Sequence, residues 1–475
     1  MAVESTPSKQ ETELELLPFE KFFRAYIGFF WFYKTAPAAT AKEMRDALQC
    51  GVDATTAATP VLAGVLREEK NKDGDRVYVG YNGSSTDDGS AGVRVDLSCC
   101  TGTSYADISA SGFDQNTLRE QLFVDQTLRL AEMPGIEGVP VLRVMLRWLS
   151  DGGCVVGVLC HHVLADAAAT FYVAKTIVYR SSSSFSPDGS RLLPLEPSRN
   201  NLSRILAAHP PEPIPAVQQV RSIFGSQSQQ PGARNPVLVL DPSASAEPMR
   251  RYQIRITEDG ILRLQFLAVA DSQCVSCSAN ALVMALMWRT WTRMLQSRGS
   301  RSSHAYLGWP IDLRRRVEQT DSTDAYYYLG NLFLPCLAHA STGFVLTKPL
   351  PAVAAFVAGV TEMASVGQLR AFQDSVVSGE ADVRAMLEET SDAPALSFSN
   401  MTRLGLYDKD MTFATSDITS SAADSVQMLA IDAPAMMFAI TDGAGGMLVN
   451  VVLPGSVADA FTADPEFSQF ASFVY

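Results

Sequence analysis

Basic residues are in the minority in this sequence. Its 475 residues include 38 lysines and arginines against 51 aspartates and glutamates, which gives a net charge of -13. A protein that binds nucleic acid needs clustered Lys and Arg to neutralise phosphates. The charge balance therefore argues against a nucleic-acid partner and leaves room only for a local basic pocket.

Long hydrophobic runs are also missing. The apolar stretch from Phe22 to Tyr33 is interrupted by Arg24 and is shorter than the roughly 20 residues that a membrane-spanning helix needs. We interpret it as a buried strand. The first residues of the chain are polar and rich in glutamate, unlike a secretory signal, so we expect no membrane span and a cytoplasmic location.

The eight cysteines are scattered along the chain. The pairs Cys99-Cys100 and Cys274-Val275-Ser276-Cys277 have no second cluster that would complete a zinc site or a disulfide framework. We therefore predict reduced thiols and no bound metal.

Length and composition predict a globular chain with two large domains. Hydrophobic residues make up 47% and charged residues 19% of the chain, and a domain typically has about 150 residues. From residue 181 to about residue 248 the composition shifts to Ser, Pro, Gln and Gly, which is typical of a long crossover between domains. Regular patterns resume with a strand at Arg251–Ile256 and an amphipathic helix at Ala279–Leu295.

Two β-rich runs precede the only adjacent pair of histidines. Val141–Leu149 and Cys154–Cys160 are separated by a Ser-Asp-Gly-Gly turn, and this pattern predicts a hairpin. The second run leads directly into His161 and His162. Because helical spacing begins a few residues later, the histidines lie where a strand is followed by a helix.

His162 is a candidate general base, because the pKa of histidine lies near neutrality and its ring can take a proton and release it again. Ala167–Tyr179 has helical spacing, with Asp166 at the N-cap position. On local evidence alone, a histidine at a strand end is also typical of a structural residue, and Asp166 is also an ordinary N-cap. Both interpretations stay open at this point.

Further matches, in the same order along the chain, resemble the BAHD acyltransferases. These plant and fungal enzymes transfer acyl groups from coenzyme A to alcohols and amines. Their signature His-x-x-x-Asp-Gly is similar to His162, Asp166 and, with a departure, Ala167. Glycine tolerates positive φ and alanine does so only at a cost, so we expect a slightly altered loop.

Other segments extend the resemblance over nearly the whole chain. The family's Asp-x-Arg-x-Arg and Tyr-Phe-Gly-Asn segments resemble Asp312–Arg316 and Tyr328–Asn331, and Pro60–Leu66 and Met447–Phe461 resemble an early and a late segment. The C-terminal Asp-Phe-Gly-Trp-Gly motif is degraded, and only Asp410 survives. The chain therefore resembles a divergent branch, nearer the fungal members.

The resemblance implies an α/β fold with two chloramphenicol-acetyltransferase-like domains. Each is expected to be a mixed β-sheet with helices, and a long crossover joins them. We place the first domain, with the histidine motif, at residues 1–185, the crossover at 186–250 and the second domain at 251–475.

The resemblance also assigns roles within the motif. It makes His162 the general base and turns the carboxylate of Asp166 away from the substrate, so that Asp166 orients the motif loop. The expected partner of Asp166 is an arginine of the second segment, and we favour Arg314 over Arg316. The alternative for these arginines is a solvated basic run.

Three supporting residues come from the same comparison. Ser399, in a stretch that resembles the Thr-Ser-Trp segment of the family, is a candidate oxyanion donor or else an ordinary loop hydroxyl. Asn331 and Asp410 are expected to support the site through the family segments that contain them.

The function implied by the resemblance is acyl transfer from acyl-CoA to a hydroxyl, or less favourably an amine, of a small specialised metabolite. Both substrates would bind together to a monomer, with acyl-CoA as co-substrate and no bound cofactor. One alternative is a stand-alone condensation or release enzyme that takes its donor from an acyl carrier protein, since condensation domains share the fold and a similar motif. Another is a catalytically inactive binding homologue.

Overall fold

The structure is a computed structural model that describes residues 12–17, 20–34, 40–71, 74–81, 92–122, 137–181, 206–212, 247–270, 277–321, 328–377, 395–408, 411, 423–428 and 436–474. Over these ranges, no single helix has the length and apolar character needed to cross a membrane. One helix pair, 350–363 with 366–376, meets both criteria only when taken together, and it bends by 78° at its break.

The described strands form three sheets. The smallest, in spatial order, consists of β1 (Thr12–Glu15), β4 (Gly74–Tyr81) and β3 (Val65–Asn71). The five-stranded sheet consists of β12 (Ser425–Gln427), β2 (Tyr26–Tyr33), β7 (Cys154–His161), β6 (Leu142–Leu149) and β5 (Val95–Cys100). The seven-stranded sheet consists of β10 (Phe333–Ser341), β9 (His304–Asp312), β11 (Ala395–Asn400), β13 (Met436–Thr441), β14 (Met447–Pro454), β8 (Met249–Ile256) and β15 (Ser472–Val474).

In the described parts of the chain, helices lie between these strands. In the first half they are α1 (Ala41–Ala58), α2 (Tyr105–Ala110), α3 (Gln115–Leu122) and α4 (Ala167–Arg180). In the second half they are α5 (Glu258–Ala270), α6 (Ala279–Ser297), α7 (Arg314–Asp321), α8 (Thr342–Thr347), α9 (Leu350–Met363), α10 (Val366–Val377) and α11 (Gly455–Thr462). Short 3-10 turns among the described residues include Glu20–Phe22, Pro60–Ala63 and Phe467–Gln469.

The elements around the histidine pair follow the predicted pattern. All eight residues of β2 are buried, as expected for an aromatic run inside a sheet. The predicted hairpin is present as β6 and β7, which pair antiparallel. Helix α4 begins directly after Asp166, whose side chain accepts a hydrogen bond from the backbone of Ala169. The strand-to-helix placement of the motif is therefore confirmed.

The two larger sheets are mixed, since β5 pairs parallel with β6 and β11 pairs parallel with both β9 and β13. The other pairs, including both pairs of the three-stranded sheet, are antiparallel. Hydrophobic residues on the seven-stranded sheet pack into the core of the five-stranded sheet, among them Phe438, Ile440 and Leu448. The two sheets therefore meet through shared apolar contacts.

One strand does not follow the predicted division of the chain into two domains. Strand β12, from the second half of the chain, pairs antiparallel with β2 at the edge of the five-stranded sheet. Most of the expected crossover, residues 186–250, lies outside the described residues. The domain boundaries at residues 185 and 251 stay a prediction. The structure adds that β12 is an exchanged strand, because it comes from the second half of the chain and pairs with a strand of the first half.

The prediction of reduced thiols is wrong at Cys277. Cys277 is disulfide-bonded, whereas six others are free thiols, among them Cys154 and Cys160 inside the five-stranded sheet. The remaining cysteine, Cys274, lies outside the described residues.

Candidate active site

His162 is the first residue after β7. Its backbone N–H donates to the carbonyl oxygen of Ala25 at 2.7 Å, which continues the pairing of β7 with the segment before β2. A tight turn follows, in which Leu164 and Ala165 donate to the carbonyl of His161 at 2.9 and 3.2 Å. The turn leaves the His162 side chain half-buried, while its neighbour His161 is fully buried.

The Nδ1 atom of His162 lies 3.1 Å from Oδ1 of Asn331. Nδ2 of Asn331 donates to the backbone carbonyl of His162 at 2.8 Å, so the amide presents its oxygen to the ring. An oxygen acceptor at Nδ1 assigns the proton of a neutral imidazole to that nitrogen. The lone pair is then on Nε2, for which the described part of the chain offers no hydrogen-bond partner.

Two aromatic rings enclose the imidazole. Phe23 stacks on His162 with ring centroids 4.7 Å apart and an interplanar angle of 23°, and the centroid of Phe333 lies 6.1 Å away. Burial lowers the pKa of His162 below its ordinary value, although its own backbone, Asp166 and Asn331 oppose the shift. The ring is therefore neutral at pH 7 and able to accept a proton.

Both oxygens of the Asp166 carboxylate accept hydrogen bonds from groups other than the imidazole. Oδ1 accepts from the N–H of Ala169 at 2.9 Å. Oδ2 accepts from Nη1 of Arg314 at 2.8 Å and from the N–H of Leu332 at 3.0 Å. Asp166 thus joins the motif loop to the second half of the chain.

The predicted pairing with Arg314 rather than Arg316 is confirmed. The side chain of Arg314 is 1% exposed and also contacts Asp312 at 3.1 Å, while its Nη2 donates to the carbonyls of Tyr328 and Gly330 at 3.1 and 2.7 Å. Burial alone would lower the pKa of Arg314, but the two carboxylates raise it above its ordinary value.

The neighbouring arginine has a different environment. Arg316 donates to the backbone carbonyl of Thr361 at 2.6 Å, at the C-terminal end of α9, and is part of no ion pair with Asp166. The alternative of a wholly solvated basic run is therefore wrong for Arg314.

The remaining predicted residues have mixed outcomes. Ser399 lies on β11 opposite Phe438 of β13 and is half-buried, and its role at an oxyanion stays a prediction. Asp410 lies outside the described residues. Ala167 is the first residue of α4 and has no positive φ, since Phe113 is the only described non-glycine residue that does. The expected strain from alanine at this position is therefore absent.

Sequence reasoning missed two residues that contact the site. Phe23 covers the face of the imidazole, and Glu20 lies against Asn331. Both come from a segment about 140 residues before the motif, and neither belongs to a recognisable pattern. The complete burial of Glu20 is unusual for an acidic residue, but burial can be seen only in a structure.

The chain matches one protein-family model and several solved structures. A sequence model of the Transferase family matches residues 110–468. A comparison with curated protein sequences finds no match.

Several solved structures share the fold. TRI101 of F. sporotrichioides, complexed with coenzyme A and T-2, gives a TM-score of 0.72 at 15% identity and covers 98% of this chain and 100% of that one. Vinorine synthase gives 0.60 at 16% identity, covering 96% and 93%. The condensation domain from the monacolin K polyketide synthase MokA gives 0.57 at 11%, covering 97% and 95%.

These likenesses confirm the predicted fold of two chloramphenicol-acetyltransferase-like domains, each with a mixed sheet and helices. The low identities show that this chain has diverged far from each of these structures. The family match spans well over half of the chain and includes His162, Asp166 and Arg314. The chain therefore belongs to the Transferase family, as a divergent member of the BAHD type of acyltransferases.

Proposed function

We propose that the protein transfers an acyl group from acyl-CoA to a hydroxyl of a small specialised metabolite, with an amine as the less favoured acceptor. The observation that carries this proposal is the hydrogen bond between Nδ1 of His162 and Oδ1 of Asn331. It leaves Nε2 as the basic nitrogen on a half-buried ring with a lowered pKa. A general base must be unprotonated and able to meet its substrate.

In the proposed reaction, Nε2 of His162 takes the proton of the acceptor O–H as that oxygen bonds to the thioester carbonyl carbon. The tetrahedral intermediate collapses, the C–S bond breaks, and the imidazolium returns the proton to the leaving thiolate. The products are an ester and free coenzyme A. The hydroxyl of Ser399 is the proposed donor to the oxyanion, where a fixed donor stabilises developing charge.

Both substrates bind at the same time in this proposal, and no acyl-enzyme forms. Holding the donor and the acceptor together turns a bimolecular encounter into an effectively unimolecular step. The contacts of Asp166 with Arg314 and Leu332 support the role of His162 as the base, because they fix the loop that carries His162 and leave its ring available to the substrates. We further propose that the enzyme acts as a cytoplasmic monomer.

Similar solved structures support coenzyme A as the carrier of the acyl donor. TRI101 has been captured with coenzyme A and a mycotoxin, which fits a small-molecule acceptor. The shared fold with a condensation domain motivates the second candidate, in which the donor is carried on an acyl carrier protein.

The test compares the two donors directly. Purified protein is incubated with acetyl-CoA, with longer acyl-CoAs or with acetylated carrier protein, and with a panel of hydroxylated terpenoids and polyketides. Thiol release and product mass are then measured. We expect an ester from acyl-CoA, and a His162→Gln variant at least about 100-fold slower.

His209→Gln is the matched control, because His209 contacts Leu206 and Arg370 and none of the residues around His162 described above. It should retain wild-type activity. Ester formed only from carrier protein would favour the second candidate, and equal activity of His162→Gln and wild type would refute His162 as the base. Absence of transfer from every donor would favour an inactive binding homologue.

A further inference from the structure

Glu20 is an acidic residue with no exposed surface. It opens the 3-10 turn Glu20–Phe22, and its relative exposure is 0%. A buried carboxyl group is costly unless its oxygens accept hydrogen bonds. Oε2 accepts from the N–H of Leu17 at 2.8 Å, and Oε1 faces Asn331. This geometry places Glu20 directly behind the residue that contacts the imidazole.

The amide of Asn331 is fixed at its nitrogen end by several acceptors. Oε1 of Glu20 lies 3.5 Å from Nδ2 and 3.4 Å from the backbone N–H of Asn331. The carbonyls of His162 and Val163 lie 2.8 and 3.4 Å from the same Nδ2. All these atoms are acceptors, so an amide rotated by 180° would set its oxygen against them.

The two ends of an asparagine amide have the same shape and differ only in hydrogen-bonding character. What surrounds Nδ2 therefore decides what faces the imidazole. With Nδ2 held by acceptors, Oδ1 faces Nδ1 of His162 at 3.1 Å. Rotation of the amide would turn an N–H donor toward Nδ1. It would favour the tautomer with its proton on Nε2, against the hydrogen bond of the ring to the backbone of His162, and in that tautomer the base has no lone pair on Nε2.

We propose that Glu20 is a positioning residue that sets the tautomer of His162 through Asn331. This inference rests on the proposed function, in which Nε2 of His162 is the base. The same short segment places the ring of Phe23 against the imidazole at 4.7 Å. The segment from Glu20 to Phe23 thus fixes both the protonation pattern and the plane of the ring.

The test measures the tautomer without substrate. The chain has five histidines, so ¹⁵N-histidine labelling gives few signals, and the His162 signals are identified by their loss in His162→Gln. In the wild-type protein at pH 8 we expect a protonated Nδ1 and an unprotonated Nε2. A wild-type His162 protonated at Nε2 would overturn the inference without the need for a Glu20 variant.

The variant Glu20→Gln replaces one acceptor oxygen by an NH₂ donor in the same shape. We expect a new population of His162 protonated at Nε2 and a kcat lowered about tenfold or more, with little change in KM, because a base in the wrong tautomer is inactive. Glu20→Asp keeps both acceptors and should restore part of the activity.

Glu247→Gln is the matched control, since Glu247 also accepts from a backbone N–H, that of Ser456 at 2.8 Å, away from the site. It should show the wild-type tautomer and kcat. A folded Glu20→Gln protein with both unchanged would refute the inference. If the wild type transferred no acyl group, the proposed function would fail, whereas the tautomer measurement would still decide the role of Glu20.

Discussion

The buried ion pair of Asp166 and Arg314 leads to a sharp prediction for Asp166→Asn. The new amide oxygen can still accept from Ala169, but its NH₂ group then faces two donors, Nη1 of Arg314 and the N–H of Leu332. Arg314 remains buried, with Asp312 as its remaining carboxylate partner. Removing one partner of a buried ion pair typically costs about 3 to 5 kcal/mol of stability. Because Asp312 still pairs with Arg314, we expect a cost near the lower end of this range.

The size of the effect on thermal stability follows from the chain length. Unfolding entropy is about 2.1 cal/mol/K per residue, and for 475 residues a loss of about 3 kcal/mol lowers the melting temperature by about 3 °C. We expect catalytic activity to fall together with this midpoint. Calorimetry and a rate measurement on the same preparation provide the test.

Asp96→Asn is the control, because Asp96 pairs with Arg147 at the same distance of 2.8 Å but has a side chain that is 52% exposed. An exposed partner is screened by water, and its loss costs about 1 kcal/mol or less. Equal midpoints for the two variants would refute the argument that burial makes the Asp166 pair important.

Three further predictions concern the segment around His162. Because the pKa of His162 is lowered, the acid limb of the kcat/KM profile should lie below the ordinary histidine value of about 6.5, and a limb above it would contradict the proposed base. Burial lowers the pKa of His161 to about 3, so its unfolded form binds protons more tightly. The free energy of unfolding should then fall by about 2 kcal/mol from pH 6.5 to pH 5. His161→Gln should remove this loss in urea titrations, and an unchanged pH dependence would count against it. Ala167→Gly should lower stability by about 1 kcal/mol or less without raising kcat, and a gain in activity would show that alanine strains the loop.

Local sequence patterns predicted the elements around the site well. The hairpin of β6 and β7, the buried strand β2 and the N-cap at Asp166 all depend on residues that are close together in the chain. The pairing of Asp166 with Arg314 spans 148 positions, and it was accessible only through the family resemblance. Propensity and periodicity carry no information about such distant partners.

The contact between Glu20 and Asn331, which the sequence did not predict, also joins residues that are far apart in the chain. Glu20 and Asn331 are 311 positions apart, and the orientation of an amide follows from its surroundings rather than from its neighbours in sequence. Strand β12 has only three residues, which is too short for an alternating pattern to emerge. Ala167 was expected to distort the loop because the family has glycine there, but the first position of a helix accepts alanine.

The exchanged strand β12 has a consequence for any attempt to study the first half of the protein alone. A fragment that ends at residue 185 would lack Ser425–Gln427, and the strongly aromatic strand β2 would become an unprotected edge. Exposed hydrophobic edges recruit other chains and promote aggregation. We therefore expect the isolated fragment to be insoluble, and co-expression with the second half should rescue it by supplying the missing strand in trans.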